Sequence, residues 1–147
     1  MFSQDRTQLR RFFCEAWRRH LQGLPLEPLE HLVAEVIRRH PEYQPLLEDP
    51  KRAVELEAVP EAGITNPFLH MGMHIAIQEQ VQADLPPGIR QLHRRLCVGS
   101  GGAHTAEHLM MEALAETLWQ AHRTGSPPDL GDYLRRLQAL SARPAIH

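Results

Sequence analysis

Hydrophobic residues recur along this chain at intervals of three and four, and Pro and Gly interrupt the pattern closely enough to delimit helices. No stretch keeps the strict alternation of a half-buried strand, and no internal repeat shows at the usual periods. The spacing predicts a first helix from about Ser3, a suitable N-cap, to Gln22, with Gly23 as its terminator. Leu9, Phe12, Phe13, Ala16, Trp17 and Leu21 make its apolar stripe, and Arg10, Arg11, Arg18 and Arg19 fall mostly on the other side, as a solvated face. Pro28 opens a second helix that continues through Leu29, Leu32, Val33, Val36 and Ile37. Pro41 then disfavours helical geometry at His40 and ends it.

"HPEYQPLLEDP", residues 40–50, reads as a turn or a single helical turn, and residues 49–65 as an irregular connector. Asn66 as N-cap and Pro67 at the first helical position start a third helix that runs to about Ala83. "DLPPG" breaks it, and a shorter helix runs from Pro86 or Pro87 through Cys97. "GSGG", residues 99–102, is a flexible joint. A long helix follows from about Ala103 to Arg123, closed by Gly125, and a last one spans Leu130 to Ser141 with the stripe Leu130, Tyr133, Leu134, Leu137 and Leu140. Short connections favour antiparallel neighbours, so the expected architecture is all-α: a compact helical bundle of about five to six helices in a single domain, residues 1–147.

Composition narrows the function classes. A chain of 147 residues with 42% hydrophobic and 23% charged residues is long enough to bury a core without disulfide staples. The formal net charge of -2 offers no cationic field for nucleic acid or an anionic membrane, so neither is expected as a partner. No apolar run approaches the roughly 18 to 20 residues that span a bilayer. The opening "MFSQDRTQLRRFF" lacks the core of a signal peptide, which makes a bacterial-type cytoplasmic location the expectation. Cys14 and Cys97 read as reduced, small apolar residues. Leftover apolar stripes are commonly buried by pairing, which allows a homodimer.

One count changes the picture. Ten of the residues are histidine, several-fold above ordinary usage, and four of these fall in two matched pairs. In "NPFLHMGMHIAIQ", residues 66–78, His70 and His74 lie about 40° apart on a helix of about 100° per residue. Phe68, Leu69, Met71, Met73, Ile75 and Ala76 cover nearly all the remaining circumference, so the histidines have no polar face to occupy. An i, i+4 pair rises about 6 Å, and its imidazoles can converge on one ion. Glu79 falls on the opposite, solvent side.

The second pair lies in "AHTAEHLMMEALAETLWQA", residues 103–121, whose apolar side is Ala103, Met110, Met111, Leu114, Leu118 and Ala121. Glu107 lands inside that side, about 20° from Leu114 at helical spacing, and a carboxylate facing a core is costly unless it is paired or ligates a metal. His104 and His108 flank it. Glu112 and Glu116 turn further toward water, with Glu112 still in reach of His108 as an outer partner. Nitrogen and carboxylate ligands of this kind suit a borderline divalent ion, Zn²⁺ first, then Fe²⁺ or Mn²⁺.

The expected site is therefore a metal bound by His70, His74, His104 and His108, with Glu107 as fifth ligand or as the base of a metal-assisted hydrolysis whose small-molecule substrate the sequence does not name. The alternative is a non-catalytic interaction or structural module held by a buried His/Glu hydrogen-bond network. "HTAEH" also matches the H-x-x-E-H of inverted zinc proteases, but no substrate-binding sheet accompanies it. His40, Glu42 and Tyr43 of "HPEY" are read first as a helix stop and turn, and second as residues near the site; "GSGG" lacks the Lys and the preceding strand of a phosphate loop. Met71, Met73, Met110 and Met111 are read as core filler, and His20, His31, His93, His122 and His147 as lacking partners at ligand spacing.

"FFCEAW", "HPEYQPLLE", "NPFLHMGMHIAIQEQ" and "HTAEHLMMEALAETLWQA" together resemble the DUF1841 family, a bacterial family of unknown function. The resemblance covers essentially the whole chain, with "NPFLH…H" and "EH.MME" its most distinctive parts. Gln44 stands where the family pattern often has His, so that position is not an essential ligand here. The resemblance implies a bacterial cytoplasmic helical protein and supplies no activity.

Overall fold

The computed structural model describes residues 2–56 and 66–142, with side chains from Arg6 onward. All regular structure in it is helical, and no strand occurs among the described residues. The all-α expectation holds, but the helix number does not: the described residues form eight α-helices rather than five to six. They are α1 (Phe2–Leu21), α2 (Pro28–Arg38), α3 (Gln44–Leu47), α4 (Pro50–Glu55), α5 (Pro67–Ala83), α6 (Ile89–Ser100), α7 (Ala103–Thr124) and α8 (Leu130–Ser141), with a 3-10 turn at Pro41–Tyr43.

The surplus comes from the proline-spaced stretch after α2. Pro41, Pro45 and Pro50 each sit in the first two positions of a short helical segment, where a missing N–H costs nothing. Asp49 caps α4 by accepting from the Arg52 N–H at 3.2 Å. Residues 50–55 are thus helical where an irregular connector was expected; the remainder of that connector, 57–65, lies outside the described residues.

Boundaries elsewhere follow the local chemistry. Gly23 and Gly125 take positive φ, 69° and 66°, and close α1 and α7. Leu24 N–H returns to Arg19 O at 2.9 Å and Ser126 N–H to Ala121 O at 3.0 Å, which satisfies carbonyls the last turns would leave bare. α1 already includes Phe2, so Ser3 lies within the helix rather than at its cap. α6 begins at Ile89 and runs on through Ser100, so the expected joint narrows to Gly101 and Gly102, at φ 91° and 154°.

Contacts divide the chain into two compact units, Met1–Ile75 and Ala76–His147, and the division falls within α5. In the first, α1 packs against α2, α3 and α4 around Phe13, Ala16, Trp17, Val33, Val36, Ile37 and Leu47. Leu9 and Leu21, expected in the α1 stripe, are exposed, and Arg10, expected on the solvated face, is buried. In the second, α6, α7 and α8 pack pairwise, with Ile89, Leu92, Met110, Tyr133 and Leu137 buried. The buried face of α7 is Ala106, Glu107, Met110, Met111, Ala113, Leu114 and Thr117, so it leans away from Ala103 and Leu118, which are exposed. Met71, Met110 and Met111 are buried core residues, as expected, whereas Met73 is only half-buried. Among the described residues no helix is long and apolar enough to cross a membrane.

Candidate metal centre

His70 and His74 stand one turn apart on α5, which Asn66 starts: its Oδ1 accepts from the N–H groups of Phe68 and Leu69 at 3.0 and 3.3 Å. Their rings meet edge to face, centroids 4.8 Å apart, and their Nε2 atoms lie 3.2 Å apart. Two imidazole nitrogens bound at about 2.0–2.1 Å to one tetrahedral Zn²⁺ would be about 3.3 Å apart, so the pair already has ligand spacing. The expectation that α5 buries its whole circumference does not hold. Phe68, Met71, His74, Ile75 and Ile77 are buried, while Leu69 is 62% exposed and His70 is half-buried.

A third histidine completes the group within the first unit. His40, just past the end of α2, is buried, and its ring lies 5.2 Å from that of His70 and 4.9 Å from that of His74. One potential ligand nitrogen from each of His40, His70 and His74 lies within 4.8 Å of the other two. These three residues could hold a metal ion. His40 Nδ1 is 2.7 Å from the Val36 carbonyl, which can only accept, so a hydrogen bond there has the Nδ1–H as its donor. Tyr43 stacks on His40 with an interplanar angle of 6° and meets His70 edge-on. Burial and the nearby Glu42 push the Tyr43 phenol above its ordinary value, so it stays protonated at neutral pH.

In the second unit, His104 and His108 repeat the edge-to-face arrangement on α7, with ring centroids 4.4 Å apart. His104 is exposed and His108 half-buried. Glu107 between them is buried, as its place on the helix predicts, and accepts a hydrogen bond from Gln78 Nε2 at 3.2 Å. Glu112 is exposed, and Glu116 accepts from Gln120 at 3.0 Å. Each expected ligand pair is therefore formed on its own helix, His70 and His74 in one unit, His104 and His108 in the other.

The family model described as a domain of unknown function, DUF1841, matches residues 5–139. The chain belongs to the DUF1841 family. No curated protein and no solved structure matches it.

Two features of this DUF1841 protein differ from the first-ranked sequence expectation. His40 is the expected helix stop, and the second-ranked expectation, a place near the histidine site, holds as well, because the same break carries its ring to His70 and His74. Periodicity could not have signalled this, because His40 shares no helix with them. The other is His93 and Cys97 on α6, whose Sγ and Nε2 lie 3.5 Å apart. That contact was legible as an i, i+4 pair, the same rule applied to the histidines. Burial, then the charge of Glu107, raises the Cys97 thiol above its ordinary value, which disfavours the nucleophilic thiolate.

Proposed function

We propose that this DUF1841 protein binds a divalent metal ion through His40, His70 and His74. The observation that carries the reading is the mutual approach within 4.8 Å of three histidine nitrogens, two from α5 and one from the break after α2. Neutral imidazoles suit borderline ions, Zn²⁺ first and Fe²⁺ or Mn²⁺ next. A His₃ set leaves coordination positions for water or substrate, as catalytic sites do, and supports metal-assisted hydrolysis as the reaction class. On α7, within the second unit, buried Glu107 is kept as a candidate general base, and His104 and His108, paired by their rings, as candidate metal donors of that helix.

Elemental analysis of protein purified without a histidine tag tests the reading. A stoichiometric metal that disappears in His40→Ala plus His74→Ala supports it, and absence of metal after incubation with excess Zn²⁺ rules it out. The same measurement on His104→Ala plus His108→Ala decides whether the α7 pair contributes. Glu107→Gln should keep the metal and lose any hydrolytic turnover.

A second reading has its own support: His70 with His74, and Gln78 with Glu107, already make hydrogen bonds within their own units. In that reading the polar groups are structural and the protein is a non-catalytic interaction module. Thermal stability unchanged by a chelator and by added Zn²⁺ favours it.

A further inference from the structure

His40 is shaped by an event in the backbone. Pro41 excludes helical geometry from the residue before it, and His40 sits at φ -124°, ψ 71°. Its N–H therefore turns to Ile37 O at 3.0 Å rather than reaching Val36 O, four residues back, as a continued helix would require. The His40 side chain takes that carbonyl instead, through Nδ1 at 2.7 Å. Tyr43 is brought over the ring by the same turn, because its N–H donates to the His40 carbonyl at 2.9 Å. The two rings then lie nearly parallel, 5.4 Å between centroids, on a histidine that is 6% exposed.

We propose that the Val36 carbonyl and the Tyr43 ring form a clamp that holds His40 as its Nδ1–H tautomer, leaving Nε2 as a preset metal donor beside His70 and His74. The role in metal binding rests on the metal reading of this site; the tautomer is a property of the metal-free chain. Outer partners of this kind fix a ligand's tautomer and ring plane, and their loss typically weakens metal affinity about 10- to 100-fold. Tyr43 and Pro41 are thus positioning residues. The stack needs the aromatic ring and not the phenol oxygen, and the turn needs the proline.

The tautomer can be read directly. In metal-free protein labelled with ¹⁵N-histidine, at a pH where imidazoles are neutral, two-bond ¹⁵N–¹H correlations distinguish Nδ1–H from Nε2–H, with His40→Gln to assign the signals. The expected result is Nδ1–H at His40; an Nε2–H ring or an even mixture overturns the clamp. Chelator competition with Zn²⁺ then compares variants. Tyr43→Leu should bind about 10- to 100-fold more weakly, Tyr43→Phe should bind like the unaltered chain, and Pro41→Ala should weaken binding by letting α2 run on. Equal affinity in Tyr43→Leu and the unaltered chain also overturns the clamp. A chain with the Nδ1–H tautomer but no affinity for Zn²⁺ overturns the metal reading instead. Because the tautomer is measured on the unaltered chain, a Tyr43→Leu protein that fails to fold does not remove the test.

Discussion

His70 Nε2 lies 3.2 Å from His74 Nε2, one helical turn further along α5. At that distance either one ring carries the proton and donates to the other, or both turn lone pairs toward a common cation. Protons and metal ions therefore compete for the same electrons. Coordinating imidazoles must be neutral, so metal affinity should rise with pH and fall away below about pH 6. Zn²⁺-loaded protein dialysed at pH 7.5 should retain its ion and at pH 5 should lose it. Undiminished metal content at pH 5 would count against histidine ligation.

Asn66 anchors the turn of α5 that carries His70. Its Oδ1 accepts from two otherwise bare N–H groups, on Phe68 and Leu69. Asn66→Ala should cost about 1 kcal/mol in urea unfolding, with Asn66→Asp or Asn66→Ser close to neutral. A fully neutral alanine variant would mean that packing, not the cap, fixes the start of the helix.

Arg10 is the largest departure from the expected surface pattern of α1. It is 2% exposed and donates to the carbonyls of Ala53, Val54 and Leu56 at 3.0, 3.2 and 2.6 Å. Its guanidinium also lies over the Phe68 ring, 4.9 Å from the centroid. Those carbonyls close α4, where a cation is favoured by the helix dipole as well as by hydrogen bonding. Arg10→Ala should destabilise the protein by about 2–4 kcal/mol, because the carbonyls lose a charged donor. Arg10→Lys should restore only part, since an ammonium lacks the planar guanidinium face that lies over Phe68. A loss below about 1 kcal/mol in urea titration would show that water replaces the guanidinium.

Cys14 gives the folded state an alkaline limit. Burial, then the charge of Asp49, pushes its thiol up to about 11. An unfolded thiol ionises near 8.5, so between about pH 8.5 and 11 the unfolded chain has given up a proton that the folded chain keeps. Stability from this group is whole below that window and declines through it as pH rises. Burial shifts the Tyr133 phenol upward as well, which adds to the loss at still higher pH. Melting temperatures at pH 7, 9 and 10.5 should fall less steeply in Cys14→Ala than in the unaltered chain. At pH 8, iodoacetamide should label the half-buried Cys97 before the buried Cys14.

Much of the helical framework was legible because local chemistry decides it. Asn66–Pro67, Gly125, the proline after His40 and the period of Leu130 to Ser141 each act within one or two turns, and α5 and α8 stand where those signals put them. The stretch from 40 to 56 was harder to read. Its short helices α3 and α4 are too small to show a period and are held by packing against α1. The i, i+4 approach of His70 to His74 and of His104 to His108 was likewise legible, because helix geometry alone sets it.

By itself, then, the sequence determined the all-α class, most helix limits, the two histidine pairs and the burial of Glu107, all of which follow from spacing along one helix. Tertiary structure decided that Arg10 turns inward, that Leu9 and Leu21 stay in water, and that His40 joins His70 and His74. The reason is physical: periodicity reports which residues share a face, but only the packing of separate segments reports what that face meets. His40 reaches its neighbours across thirty residues of chain, a distance over which no local rule carries information.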